Sequence, residues 1–261
     1  MIRVTLEAFG PGDDRTPDRI RARAEHFMRD AHPSSAVAET PSGQLVGLAV
    51  TRQLGPIVLL AWAAVAEAEQ GRGILRSMLT DFPGAEPGVQ RLVLSSTDPK
   101  AVRRYTALGL SLHPTVSAGG ILRPRAVGVA PGTEECSPHD AAPILDALGL
   151  EARGAVYGAD VDLMAAQGDR VHLCGRDAAV VRNGGVIRLA VARDEEAGRL
   201  ALRAALGAVP PGATVHLNQL RSGMDWAIAE AHDAGLAFSP EGPVFSDEPL
   251  SPLHLPQGSI G

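Results

Sequence analysis

The sequence predicts a mixed chain of helices and strands built as two similar halves, and three observations carry that expectation. Amphipathic helical stretches alternate with short apolar, strand-like runs. One of those runs passes through a glycine-bracketed turn, Gln70-Gly71-Arg72-Gly73, directly into a helical pattern. Short segments also recur at a nearly constant spacing along the chain.

Each element has a local reason. A helix is expected over Thr16 to Ala31: Thr16 supplies a cap, Pro17 suits the first turn, Ile20, Ala24, Phe27, Met28 and Ala31 form one stripe, and His32-Pro33 ends it. Strands follow at Gln44 to Thr51 and Ile57 to Val65, the second so continuously apolar that it reads as buried on both faces. After the glycines, Ile74, Leu75, Met78, Leu79 and Phe82 share a helical face up to Pro83. Arg91 to Ser95 reads as the next strand. Asp98-Pro99 then opens a helix with Ala101, Val102, Tyr105 and Leu108 on one side, and Gly109 stands where a left-handed cap belongs. A short strand is expected around Leu110 to His113.

The repeat appears in three places. Ala64-Val65-Ala66 returns as Ala190-Val191-Ala192, and Leu108-Gly109-Leu110 returns at the same offset as Ala234-Gly235-Leu236. Gly43, Val46 and Leu48 meet Gly168, Val171 and Leu173 one position closer. The boundary expected from this is near Arg125, after Gly119-Gly120 and Pro124, giving halves 1–125 and 126–261. The halves are unequal. Glu196-Ala197-Gly198-Arg199 faces the glycine turn, and Ala231 faces Tyr105, as expected if only the first half keeps a chemistry that both once had.

Composition excludes several classes. The 261 residues are 45% hydrophobic and 21% charged, enough for a large core and unlike a disordered chain. The longest apolar run, Ile57 to Ala66, is too short to span a bilayer, and the amino terminus lacks a basic-then-apolar layout, so no membrane partner and a cytoplasmic setting are expected. A net charge of −6, with Lys100 the single lysine among 24 basic residues, argues against nucleic acid. Cys136 and Cys174 have no CxxC neighbour and read as reduced thiols; the eight histidines show no metal spacing, and no metal is expected.

The strand-to-helix turn is where chemistry is expected, because successive backbone N–H groups free of bulk suit a phosphate. The P-loop ending is missing, and the third glycine of the dinucleotide fingerprint is replaced by Arg76. The run Gln70-Gly71-Arg72-Gly73-Ile74 instead resembles the acyl-CoA pyrophosphate loop of the GNAT superfamily of N-acyltransferases, patterned Gln/Arg-x-x-Gly-x-Gly/Ala, with Leu75 in place of the last small residue. The stretch from Ala101 to Leu110 is similar to that family's second signature, a helix whose tyrosine, here Tyr105, stands four residues before the glycine of Leu-Gly-Phe. Asp98 replaces its usual asparagine. The two signatures cover roughly residues 39 to 114.

The resemblance implies an α+β fold of two tandem GNAT-like domains, each a mixed, mostly antiparallel sheet flanked by helices, with a catalytic first half and a degenerate second. It implies acetyl-CoA as co-substrate, held by Val65, Gln70, Gly71, Arg72, Gly73, Ile74 and Leu75, and direct transfer of the acetyl group to a small-molecule or peptide amine. Backbone donors at the end of the Leu59 to Val65 strand would stabilise the oxyanion. Tyr105 would protonate the departing thiolate. Glu39, Glu67, Glu69, His113 and a water chain all stay open as the base, and a homodimer stays open as the assembly. The contrasting expectation is a non-catalytic acyl-CoA-binding or interaction protein, to which the substitutions at Leu75 and Asp98 point.

Overall fold

The computed structural model describes residues 1–10, 16–84, 87–122, 130–210 and 212–256. The expected boundary at Arg125 and most of the carboxy-terminal tail lie outside the described residues.

The first half runs α1 (Ile2–Phe9), α2 (Pro17–Phe27), β1 (Ala36–Glu39), β2 (Leu45–Leu54), β3 (Ile57–Val65), α3 (Ile74–Met78), β4 (Gln90–Leu94), α4 (Pro99–Thr106) and β5 (Ser111–Ile121). The second runs β6 (Thr133–Cys136), α5 (Pro138–Arg153), α6 (Asp160–Ala166), β7 (Arg170–Cys174), β8 (Ala178–Asn183), β9 (Val186–Ala192), α7 (Glu195–Gly207), β10 (Thr214–Arg221), α8 (Asp225–Asp233), β11 (Ala237–Ser246) and β12 (His254–Leu255). The fold is α+β, as expected.

Local chemistry explains most boundaries. Thr16 caps α2 by accepting from the Arg19 N–H, and Asp98 caps α4 by accepting from the Lys100 N–H at 2.9 Å. Three expectations need correction. The α2 helix stops at Phe27, short of Ala31, so that His32 can donate its N–H to Thr51 and join the sheet. The α3 helix ends at Met78, although Leu79 and Phe82 remain buried in the same cluster. β5 is eleven residues long, because it is covered by a strand on each side over most of its length. The α1 helix was not anticipated at all.

Among the described residues all twelve strands form one sheet, in the order β1-β2-β3-β4-β11-β5-β10-β9-β8-β7-β6, with β12 added on β9. β3 with β4, and β9 with β10, are the parallel pairs; the other neighbours are antiparallel. Side-chain alternation splits the core into two layers. Val58, Leu60, Val93 and Phe245 pack under α3 and α4, and we call this the upper face. Leu48, Trp62 and Ala64 pack against α1 and α2 on the lower face, where Leu59, Leu92 and Val244 also lie.

The halves interlock at the centre. β11, from the end of the chain, lies between β4 and β5, while β5 lies between β11 and β10. Each half therefore lends the other a strand. On the lower face a second tie is ionic: buried Arg52 on β2 donates to Asp30 at 2.5 Å and to Asp160 of α6 at 2.8 Å, and His26 meets Asp160 at 2.6 Å. Two of the three repeat matches join equivalent elements, β3 with β9 and β5 with β11. The third joins β2 with β7, although by position outward from the parallel pair the counterpart of β2 is β8. That short match of small and apolar residues is coincidental.

Two substitutions test these joints. Asp160→Ala removes one carboxylate from the buried Arg52, and urea unfolding should show a loss of about 3 kcal/mol. Gly242→Ala should lower the urea midpoint as well, because a Cβ there would fall 2.0 Å from the Ser95 carbonyl oxygen and force β11 away from β4; a loss at or above the ~1–3 kcal/mol typical of overpacking is expected.

Candidate active site

β3 and β4 pair only from Ile57↔Gln90 to Leu60↔Val93 and then diverge. The divergence begins where Ala61 bulges: β2 opposes Trp62 with Val50 and Leu60 with Thr51, so one residue of β3 is extra. Beyond this point the edge of β3 facing β4 has no strand partner. Its alternate N–H and C=O groups face a cavity of about 870 Å³ that lies between the two strands and under α4.

The glycine turn closes one end of that cavity. After Val65 the chain makes one 3₁₀ turn, Glu67–Glu69, and reaches α3 through Gly71 and Gly73, both at φ 80°. A Cβ at either would meet nothing within 4 Å, so the glycines are required by the left-handed conformation and not by crowding. Among the described residues, no acceptor takes the backbone N–H groups of residues 71 to 76. A run of six free donors in a turn is a concavity suited to an anion. The brevity of α3 means that these local donors, and not a long helix dipole, would supply the attraction.

The predicted residues distribute unevenly. Val65, Gln70, Gly71, Gly73, Ile74 and Leu75 line the cavity, as does Tyr105. Arg72 does not; it is exposed and paired with Glu69. Gln70 is turned back on its own chain, its Nε2 donating to the Val65 carbonyl at 3.2 Å, which fastens the turn to the end of β3. Four cations that the sequence reading left aside, Arg76, Lys100, Arg103 and Arg104, also line the cavity, and Arg104 Nε is buried without a partner. Their signal was present, one from α3 and three from α4, but only the closing of α4 over the splay brings them together.

Tyr105 stands on α4 with its ring edge-on to Phe245 of β11, centroids 5.7 Å apart. Its hydroxyl has no hydrogen-bond partner among the described residues. Burial first, and Asp98 second, push its pKa up to about 12, so the phenol stays protonated across the physiological range. The proposed bases are scattered: Glu69 lines the cavity, Glu39 and Glu67 are exposed, and His113 lies on the lower face with Nε2 buried and unpartnered.

The second half repeats the outline and fills it. β9 and β10 pair in parallel only at Val186 and Ile187 and then separate, but β12 takes the freed edge of β9, with His254 opposite Val191 and Leu255 opposite Ala190. Arg221 on β10 donates Nη2 to the carbonyls of Ser251 and His254, and Trp226 donates Nε1 to Pro252 at 3.0 Å. The turn is missing too. α7 starts three residues after β9, Asp194 caps it by accepting from the Ala197 N–H at 2.8 Å, and the Trp226 ring fills the space beside Gly198.

No family model matches the sequence, and no curated protein matches it. Solved structures do. A protein from Pyrococcus horikoshii, described provisionally as an acetyltransferase, superposes with a TM-score of 0.75 at 14% identity, covering 100% of this chain and 91% of its own. A tandem GNAT protein from the clavulanic acid biosynthesis pathway gives 0.56 at 13% identity, covering 95% and 93%. The chain has the GNAT acetyltransferase fold. A GCN5-related N-acetyltransferase from Sphaerobacter thermophilus gives 0.55 at 13% identity, covering 94% and 89%. At these identities the likeness is one of fold, and within that fold the open splay and the glycine turn occur together in the first half alone.

Proposed function

We propose that the chain is an N-acyltransferase that moves the acetyl group of acetyl-CoA directly to an amine, with a single acetyl-CoA site built on residues 1–125. The observation that carries this reading is the unpaired edge of β3 past Leu60, opening beside six free N–H groups and under Tyr105. The free donors and the four cations suit the phosphates of CoA. The unpaired strand edge suits an extended amide-bearing arm, which would add to it as a short strand does. N–H groups near the Ala61 bulge suit the oxyanion of a tetrahedral intermediate.

The bond changes assign two roles. The amine nitrogen bonds to the thioester carbon, the carbon–sulfur bond breaks, the sulfur takes a proton, and the nitrogen gives one up. Tyr105 is the donor to sulfur in this reading, because it lines the cavity, its hydroxyl has no hydrogen-bond partner among the described residues, and the phenol is protonated at neutral pH. Residues 126–261 hold no second acetyl-CoA site in this reading, since β12 fills their splay and Asp194 places a carboxylate where phosphate would bind. Leu75, half-buried in the cavity wall where the family pattern has a small residue, supports a second reading in which acyl-CoA is held and not turned over.

Two experiments test the proposal. Calorimetric titration should show one acetyl-CoA per chain, abolished by Gly73→Glu, which strains the turn and brings a carboxylate to the phosphate donors; a stoichiometry of two would show that the second half also binds. Tyr105→Phe should leave the acetyl-CoA dissociation constant within about twofold and lower kcat by roughly 100-fold or more. Wild-type kcat should not fall as the pH rises through 10, as it would if an unperturbed phenol were losing its proton. An unaltered rate in the variant would remove Tyr105 from the chemistry, and binding without any turnover by the parent would favour the second reading.

A further inference from the structure

The acyl-transfer reading needs a group that receives the amine, and the lower face offers one that comes from the second half. β11 outruns β4 at a bulge between Glu241 and Val244. There the Ser95 N–H donates to the Pro243 carbonyl at 3.0 Å, and Gly242 packs directly on the Ser95 backbone. Glu241 is the next residue along; it does not itself line the cavity, but its neighbour Gly242 abuts the chain that continues into Ser96 and Thr97, both of which do. Glu241 pairs with Thr115 and Val244 with His113, two residues apart on β5, so Glu241 projects to the same face as Val244. That face is opposite the one carrying Phe245 and Tyr105.

The carboxylate is held as a poised group. Its Oε2 accepts the Gln219 N–H at 2.7 Å, and Gln219 is the one non-glycine residue with positive φ, 62°, among the described residues. Strained backbone of this kind persists where surrounding structure enforces it. Oε1 takes no hydrogen bond or ion pair among the described residues, although Glu241 is partly buried. The side-chain Oε1 of Gln219 is buried with no donor among the described residues. The charges on adjoining strands do not pair with Glu241: Arg221, on the other side of β5, directs Nη2 at the carbonyls of Ser251 and His254 and leaves Nη1 buried without a partner among the described residues, and burial with the Arg221 charge lowers the pKa of His113. Glu241 Oε1 is thus a free anionic acceptor, which a protonated amine complements. Burial also raises the Glu241 pKa, which makes it a better proton acceptor than an exposed carboxylate.

We propose that Glu241 is the residue that receives the acceptor's ammonium group and takes its proton, so that the substrate class is a cationic primary amine attacking from the face opposite Tyr105. The step balances: ammonium and carboxylate become amine and carboxylic acid, directly or through one water, and the freed nitrogen lone pair attacks the thioester carbon. The proposal rests on the acyl-transfer reading.

The test uses the full-length protein and its Glu241→Gln variant, which keeps an oxygen for the Gln219 N–H and loses the charge. Thiol release from acetyl-CoA is followed with spermidine, tyramine, ethanolamine and kanamycin, all cationic at neutral pH, and with hydroxylamine, which is uncharged there and needs no deprotonation before attack. The expected result is a loss of roughly 100-fold in kcat/KM for whichever cationic amine the parent uses, with hydroxylamine changed less than about threefold and acetyl-CoA affinity and Tm preserved. Equal losses for both nucleophiles, or no loss for the cationic amine, would overturn the assignment and leave acyl transfer standing. So would a parent that acetylates hydroxylamine and none of the cationic amines. A parent that binds no acetyl-CoA would sink the acyl-transfer reading and this inference together.

Discussion

The position of β11 is the constraint on which the rest of the molecule depends. β4 must part from β3 after Val93 to open the cavity, and a strand losing one neighbour needs firm support from the other. That support is β11, hydrogen-bonded to β4 from Leu92 to Leu94 and continued by the Ser95 N–H on Pro243. The same strand brings Phe245 against the Tyr105 ring and Glu241 to the opposite face. Since β11 is encoded after residue 236, the first half alone would leave β4 and β5 without the strand that joins them. β5 makes the reciprocal contribution between β11 and β10.

Electrostatics follow from this enclosure. The chain is acidic overall, with a net charge of −6, yet Arg76, Lys100, Arg103 and Arg104 converge on one cavity that also presents unpaired N–H groups. A local positive field on an acidic protein is an arrangement that attracts a polyanion to one place without making the whole surface adhesive. The burial that, with Asp98, raises the Tyr105 pKa to about 12 comes from a cluster to which the first half contributes Val58, Leu60 and Val93 and the second half Phe245.

The part of this architecture that depends on near neighbours was legible in the sequence. The limits of β3, the caps at Thr16 and Asp98, the left-handed Gly109 and the glycine turn are decided within a few residues, and each stands where the residues indicate. The length of β5 and the place of β11 are decided by pairing across more than a hundred residues, to which no local pattern responds. The same limit applies to Arg103 and Arg104, which as residue types can touch a phosphate but cannot be told from solvated arginines until α4 is laid over the splay. It also hid Glu241, which belongs to no signature and acquires its surroundings from β4, β5 and β10. The match of Gly43 with Gly168 misled for the converse reason: short apolar strings recur by chance, and only strand order shows that they occupy unlike positions.

The filled splay of the second half bears on how such a gap is kept open. Two parallel strands that part inside a protein leave hydrogen-bonding edges that need an occupant, and the second half satisfies its own with β12, tied by Arg221 and Trp226. Because that occupant is covalently attached, its effective concentration far exceeds that of any free metabolite, and it needs no turn of free N–H groups to retain it. The first half has no such tenant among the described residues, and the turn, the cations and the bulge are what it holds in its place. Read side by side, the two halves of one chain are the loaded and the exchangeable forms of a single gap.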